Sequence, residues 1–187
     1  MSAYTMDEFI ADVKAVQAGH TDTKEILQRV APLAKKIANT KDWVDDSHYR
    51  VEESQGIGIT IIHEEPEDLL IETVCWSPGG GVLPHDHKTW GVVVGISGVE
   101  TEILWKRRDD GSKPGYADLE HVGNQELTVD DTSTFLGDAI HTVQNDGEET
   151  TLSLHTYGMH INHTGRLQFD PEAKTVEPCV VYKVEGE

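Results

Sequence analysis

Two hydrophobic rhythms divide the chain. Over the first 40 residues apolar positions recur every three or four residues. Beyond about Lys41 they come in short runs rich in β-branched and aromatic residues. Met6, Phe9, Ile10, Val13 and Val16 share one face of a helix. Thr5 can cap it, Asp7 and Glu8 lie in its first turn, and Gly19 marks its end. Ile26, Leu27, Val30, Leu33 and Ile37 predict a second helix, opened by Asp22 and Glu25, which Pro32 should bend or split. The later runs predict strands over 57–63, 69–76, 90–96, 100–107, 124–129, 132–135, 141–144, 150–157 and 180–184. Residues 107–116 read as a polar surface loop. Many short strands at this spacing suggest a sandwich or small barrel. No repeat or low-complexity linker interrupts them, so 1–187 reads as one domain, with 1–40 helical and 41–187 a β-barrel.

Composition narrows the partners. The formal charge is −19, from 34 acidic and 15 basic residues. Phosphate binding needs a positive field, so nucleic acid and anionic membranes are poor partners. A self-repelling soluble surface or a salt-rich habitat would each give this balance. An anionic substrate would need a local positive site, from a metal or an arginine. No apolar run approaches the ~18 residues of a membrane span, and 1–10 lack a basic region followed by an apolar one. Cys75 and Cys179 do not make a disulfide framework, which fits a reduced cytoplasmic setting. The expected assembly is a monomer or homodimer.

The chemistry concentrates in histidines. His85 and His87 flank Asp86, and on a strand side chains two apart face the same way. Gly79, Gly80 and Gly81 allow a tight turn before them. His141 follows Gly137 and Asp138, with Asn145 four residues on. Three imidazoles with no acid at ligand spacing make a neutral donor set, suited to iron, zinc, copper or nickel. Ser153, His155 and Tyr157 alternate with Leu152 and Leu154, so one strand face carries all three. Ser153 can orient His155, and His155 can hydrogen-bond Tyr157. His20, His48, His121, His160 and His163 lack ligand spacing and read as surface or rim residues. Trp90 reads as packing, and Asp86 should point away from the metal.

These residues carry a resemblance. The stretch from Gly79 through His85, His87 and Gly91 to Gly98 resembles the first cupin motif, and Gly137 through His141 to Asn145 the second. Where a typical cupin has glutamate three or four residues after the second histidine, this chain has Trp90 and Gly91. That loss is similar to the thiol dioxygenases, the cysteine dioxygenase and bacterial mercaptopropionate dioxygenase family. Residues 151–158 resemble that family's Ser-His-Tyr triad, and Cys75-Trp76 also matches. The resemblance implies a mainly β cupin fold, a double-stranded β-helix with N-terminal helices. It implies Fe(II) on His85, His87 and His141, although Ni, Mn or Zn would suit the same donors. Ser153, His155 and Tyr157 would act in catalysis, and a small carboxylated thiol, 3-mercaptopropionate- or cysteine-like, would react with O2 to give the sulfinate. The cysteine that some members crosslink to the triad tyrosine is replaced by Val92. The upstream arginine of cysteine dioxygenases has no counterpart in 56–62. Arg166 is similar in placement to an arginine of mercaptopropionate-type enzymes. Arg166 and His63 are therefore the expected substrate contacts, with Gln55 and Arg50 behind them. The competing expectations are another metal-dependent cupin enzyme, a non-thiol dioxygenase or isomerase, and a non-catalytic metal-binding cupin.

Overall fold

The computed structural model describes residues 4–179. Two helices, α1 (Met6–Gly19) and α2 (Thr23–Ala38), precede ten strands. These are β1 (Ile57–Glu64), β2 (Leu70–Trp76), β3 (Gly91–Ser97), β4 (Glu100–Arg107), β5 (Leu119–Leu127), β6 (Thr132–Phe135), β7 (Ile140–Gln144), β8 (Thr151–Tyr157), β9 (Leu167–Asp170) and β10 (Thr175–Pro178). Thr5 opens α1 with a reciprocal cap: its hydroxyl accepts from the Glu8 amide, and the Glu8 carboxylate accepts from the Thr5 amide. The Asp22 carboxylate accepts from the amides of Lys24 and Glu25 at the start of α2. Pro32 does not divide α2, which is continuous through it. Pro32 lies on the exposed face, so the Gln28 carbonyl that loses its amide partner also faces solvent.

All strand pairs are antiparallel. One sheet has the order β1-β2-β8-β3-β6, and a second contains β5-β4-β7. The irregular segment 79–86 extends that second sheet. On one side the Val82 and His85 amides donate to the Val143 and His141 carbonyls. On the other, the Asp86 amide donates to Leu167 and the Phe169 amide to Pro84, which joins β9 and β10. The two sheets face each other as a double-stranded β-helix, the expected fold.

Strand alternation sorts the side chains. Outward from the five-stranded sheet, Ile71, Cys75, Val92, Val94, Leu152 and Leu154 pack under Phe9, Val13, Val30 and Ile37 of the helices. Each fully buried Leu or Ile contributes about 1.5–3 kcal/mol of apolar transfer. The alternate residues of β2 and β8, including Glu72, Ser153, His155 and Tyr157, point between the sheets. The face without apolar residues at β8 is thus the interior of the barrel, and the apolar face lies beneath the helices.

One strand expectation shifts, two short strands are unexpected, and one expectation is not reached. β5 begins at Leu119 rather than 124, because it is mostly exposed and its polar residues show no period-two pattern. β9 and β10 are four residues each and largely polar, so they carry no run to detect. The strand expected at 180–184 lies outside the described residues. No helix among the described residues is long and apolar enough to cross a membrane.

Candidate metal centre

His85, His87 and His141 come together, with one ligand atom of each lying within 4.8 Å of the others. All three are buried. His141 stands on β7, while His85 and His87 do not lie on a regular strand. Pro84 and the tight turn around Gly80 interrupt it: a Cβ at Gly80 would sit 2.3 Å from the Gly56 carbonyl oxygen. The segment is held instead by single bridges from His85 to His141 and to Gln168. Asp86 faces away, accepting from the Leu167 amide at 2.8 Å and pairing with Lys88 at 2.7 Å.

Backbone and side-chain bonds aim the rings. His85 Nδ1 donates to the Leu83 carbonyl at 2.9 Å, which leaves Nε2 free to bind a cation. His141 Nδ1 lies 2.5 Å from Glu102 Oε1, so its Nε2 is likewise available. That Nε2 faces His87 Nε2 at 3.0 Å. Two nitrogens bound about 2.1 Å from one ion at a right angle stand about 3.0 Å apart. Burial, and then the neighbouring histidines, hold His85 and His87 well below the ordinary imidazole pKa, in the neutral form that binds metal. Neutral buried nitrogens converging at this spacing fit a divalent ion bound by three imidazoles.

A phenyl ring fills the space beside Gly91. Phe135 stacks on His87 at 4.8 Å between centroids. A Cβ on Gly91 would lie 2.3 Å from that phenyl ring. Phe135 therefore takes the space that an acid at 91 would need. Gly91 is also the residue paired with Tyr157 across β3 and β8. Val92, which stands where some thiol dioxygenases have the crosslinked cysteine, turns outward under the helices.

Glu102 is a functional group that the chain does not advertise. This β4 carboxylate is buried and accepts from His141 Nδ1, from Ser133 Oγ at 2.8 Å and from Gln125 Nε2. Burial pushes its pKa up, but the His141 hydrogen bond and charge outweigh this and hold it below the ordinary range. It is a carboxylate behind a candidate ligand histidine, fixing the ring, and it would raise the basicity of that ring toward a metal.

Ser153, His155 and Tyr157 form a continuous chain. Ser153 Oγ lies 2.9 Å from His155 Nε2, and His155 Nδ1 lies 2.8 Å from Tyr157 Oη. The chain extends one residue further than expected, since Ser153 also contacts Glu100 Oε2 at 3.1 Å while Thr151 donates to Glu100 Oε1 at 3.0 Å. Burial lowers His155 to about 3, so one of its nitrogens donates and the other accepts. Burial also raises Glu100 to about 7, against the hydrogen bonds from Ser153 and Thr151. Tyr157 is raised well above the phenol range by burial and then by Glu72. Its ring lies 4.9 Å from that of His87.

A cavity of about 240 Å³ opens on these groups. The three clustered histidines, His155, Tyr157, Arg166, Glu72 and Cys179 line it, with Ile57, Ile59, Val74 and Val143 as apolar wall. Arg166 is buried. His63 is not brought to the cavity; its Nε2 contacts Glu65 at 3.0 Å. Arg50 and Gln55 are exposed outside it. Among the other histidines, buried His160 pairs with Glu64, and the described residues hold no second metal-ligand cluster. Asn145 ties the β7–β8 turn, donating to the Trp76 and Glu149 carbonyls. Cys75 packs beneath the helices, while Cys179 reaches the cavity wall.

No family model matches the chain. Among solved structures it is similar to a cupin domain of an XRE-family transcriptional regulator from Enterobacter cloacae, at 18% identity over 56% of this chain and 97% of that one, with a TM-score of 0.40. It is also similar to a conserved double-stranded β-helix protein from Klebsiella pneumoniae, at 14% identity over 67% and 94%, with a TM-score of 0.46. A third is oxalate oxidase in complex with glycolate, at 15% identity over 68% and 66%, with a TM-score of 0.45.

Proposed function

We propose that this chain is an iron(II)-dependent thiol dioxygenase converting a small carboxylated thiol, 3-mercaptopropionate- or cysteine-like, and O2 into the sulfinate. One observation supports it above the rest. A three-imidazole site without a carboxylate ligand shares its cavity with His155 and Tyr157, the end of a hydrogen-bonded row that starts at Ser153. Iron(II) on three neutral donors would keep its 2+ charge, acidify a coordinated thiol and supply the dioxygen chemistry.

The chain's own groups do the rest. His85, His87 and His141 would hold the ion, and Phe135 keeps the next position free of a protein acid. Tyr157 is neutral at every working pH, so it can hydrogen-bond a substrate atom without adding charge. His155 and Ser153 orient that phenol. The planar fork of Arg166 suits a carboxylate. Ile57, Ile59, Val74 and Val143 give the cavity an apolar wall against which a substrate's carbon chain can pack. The reaction balances as R–SH plus O2 to R–SO2H, with both oxygen atoms ending on sulfur.

Oxygen-electrode assays of ferrous-loaded protein against a thiol panel test this, with sulfinate measured in the same samples. The expected result is one sulfinate per O2 with at least one carboxylated thiol. No oxygen uptake and no sulfinate with any thiol refutes the reading.

A further inference from the structure

Among the described residues, Glu72 is the acid in the cavity wall. It stands in the middle of β2, with Ile61 beside it on β1 and His155 beside it on β8, and is 4% exposed. It differs from the other two buried glutamates of the barrel. Glu100 and Glu102 each accept hydrogen bonds from at least two side chains. Glu72 forms none among the described residues; burial acts on it most, followed by the charges of Arg166 and Glu64. It does not belong to the cluster of metal-ligand atoms. Its neighbours in the wall are Ile59 and Val74, among which an apolar residue would pack without desolvating a carboxylate.

A buried acid with no hydrogen-bond donor of its own, turned into a cavity, needs a partner from outside. Arg166 lines the same cavity and draws the Glu72 pKa down, but burial outweighs it and leaves the group at about 7. A cation brought in by a ligand would complete the pairing. On the dioxygenase reading above, which this inference takes as its starting point, we propose that Glu72 is a specificity-determining residue that receives the ammonium group of the substrate. Arg166 takes the carboxylate and the metal centre the sulfur. The cavity presents both signs of charge around one thiol site, so it selects a thiol that carries an amine over the same thiol without one. Glu72 thus narrows the substrate class from carboxylated thiols to aminothiols.

The test separates this inference from the dioxygenase reading. Calorimetric binding of L-cysteine, cysteamine and 3-mercaptopropionate is measured under argon on zinc-loaded wild type and Glu72→Gln, where no oxidation occurs. Michaelis constants for the same thiols are measured on ferrous-loaded protein. Metal content and circular dichroism check that the variant keeps its site and fold. Wild type is expected to bind L-cysteine more tightly than 3-mercaptopropionate. Glu72→Gln should weaken the two amines on the order of 10–100-fold, the loss expected for a charged hydrogen bond, and leave 3-mercaptopropionate within about threefold. Wild type that binds 3-mercaptopropionate as tightly as L-cysteine overturns the inference, whether or not the variant folds. A variant whose selectivity is unchanged also overturns it. Amine-selective binding that depends on Glu72, with no thiol oxidised, supports the inference and sinks the dioxygenase reading instead.

Discussion

Replacing Glu102 with Gln tests whether a residue that touches no substrate sets the affinity of the metal centre. The side chain keeps its shape and loses its charge. In the wild type the carboxylate accepts from His141 Nδ1 at 2.5 Å and from Ser133 at 2.8 Å, with Gln125 as a third donor. In Glu102→Gln the side-chain amide oxygen could still accept from His141, so the ring keeps its direction. What disappears is the negative charge behind the imidazole, and with it the basicity of the nitrogen that faces His87. Losing such an outer partner costs about 10–100-fold in metal affinity. At 1.4 kcal/mol per tenfold, that is about 1.4–2.8 kcal/mol. Chelator competition with zinc or iron at fixed pH reads this directly, with His141→Ala as the metal-free reference. Affinity within twofold of wild type, in a variant with an unchanged fold, would refute the argument. Glu102 would then be a buried acid that only anchors Ser133 and Gln125.

Three other changes give separable outcomes. Tyr157→Phe removes the hydroxyl at the end of the Ser153–His155 chain and no metal ligand. Turnover should fall on the order of 10²-fold with iron content unchanged, and lost iron would mean a structural role. Gly91→Ala pushes a methyl to 2.3 Å from Phe135 and should cost about 1–3 kcal/mol, lowering Tm by roughly 3–10 °C; an unchanged melt would show that Phe135 moves aside freely. For Glu100→Gln the sign follows from a pKa raised from 4.5 to about 7 by burial. The wild-type contribution is complete below pH 4.5 and is lost as pH rises through 7, by about 3 kcal/mol. The variant does not titrate, so its advantage in denaturant melts should grow from about pH 4.5 to about pH 8; a constant difference refutes the shift.

The sequence exposes what rests on period and spacing. The helices declare themselves through caps and a 3.6-residue apolar stripe, and β2, β3 and β8 through apolar runs that face the helices. The His85–His87 pair, the Gly137–His141 turn and the Ser153 row are equally visible, because each is a pattern of residues close together in the chain. Glu72, Glu100 and Glu102 are hidden for the opposite reason. An acid on a strand normally faces solvent, and only the pairing of distant strands shows that these point inward. Glu72 does leave a trace, as a lone acid inside the apolar run at 69–76. Phe135 leaves none, since its contact with Gly91 depends on β3 pairing with β6. The regular strand expected at His85 and His87 fails because Pro84 and close backbone contacts at Gly80 and Gly81 allow only isolated bridges.

The buried chain from Glu100 to Tyr157 has two proton arrangements, and they differ in what they offer the cavity. With Glu100 ionised, Ser153 must donate to it, His155 Nε2 donates to Ser153, and Tyr157 donates to His155 Nδ1. The phenol oxygen is then an acceptor toward the cavity. With Glu100 protonated every link reverses, and the Tyr157 hydroxyl is free to donate to a ligand. A tyrosine that acts as donor therefore requires a neutral group at position 100. Burial brings Glu100 to about 7, so both arrangements are populated near neutral pH. Glu100→Gln fixes the second arrangement when its amide nitrogen faces Ser153, because that nitrogen can only donate. If donation from Tyr157 carries turnover, this variant should stay active as pH rises past about 7 while the wild type declines. A variant as slow as Tyr157→Phe at every pH would mean that the phenol must accept.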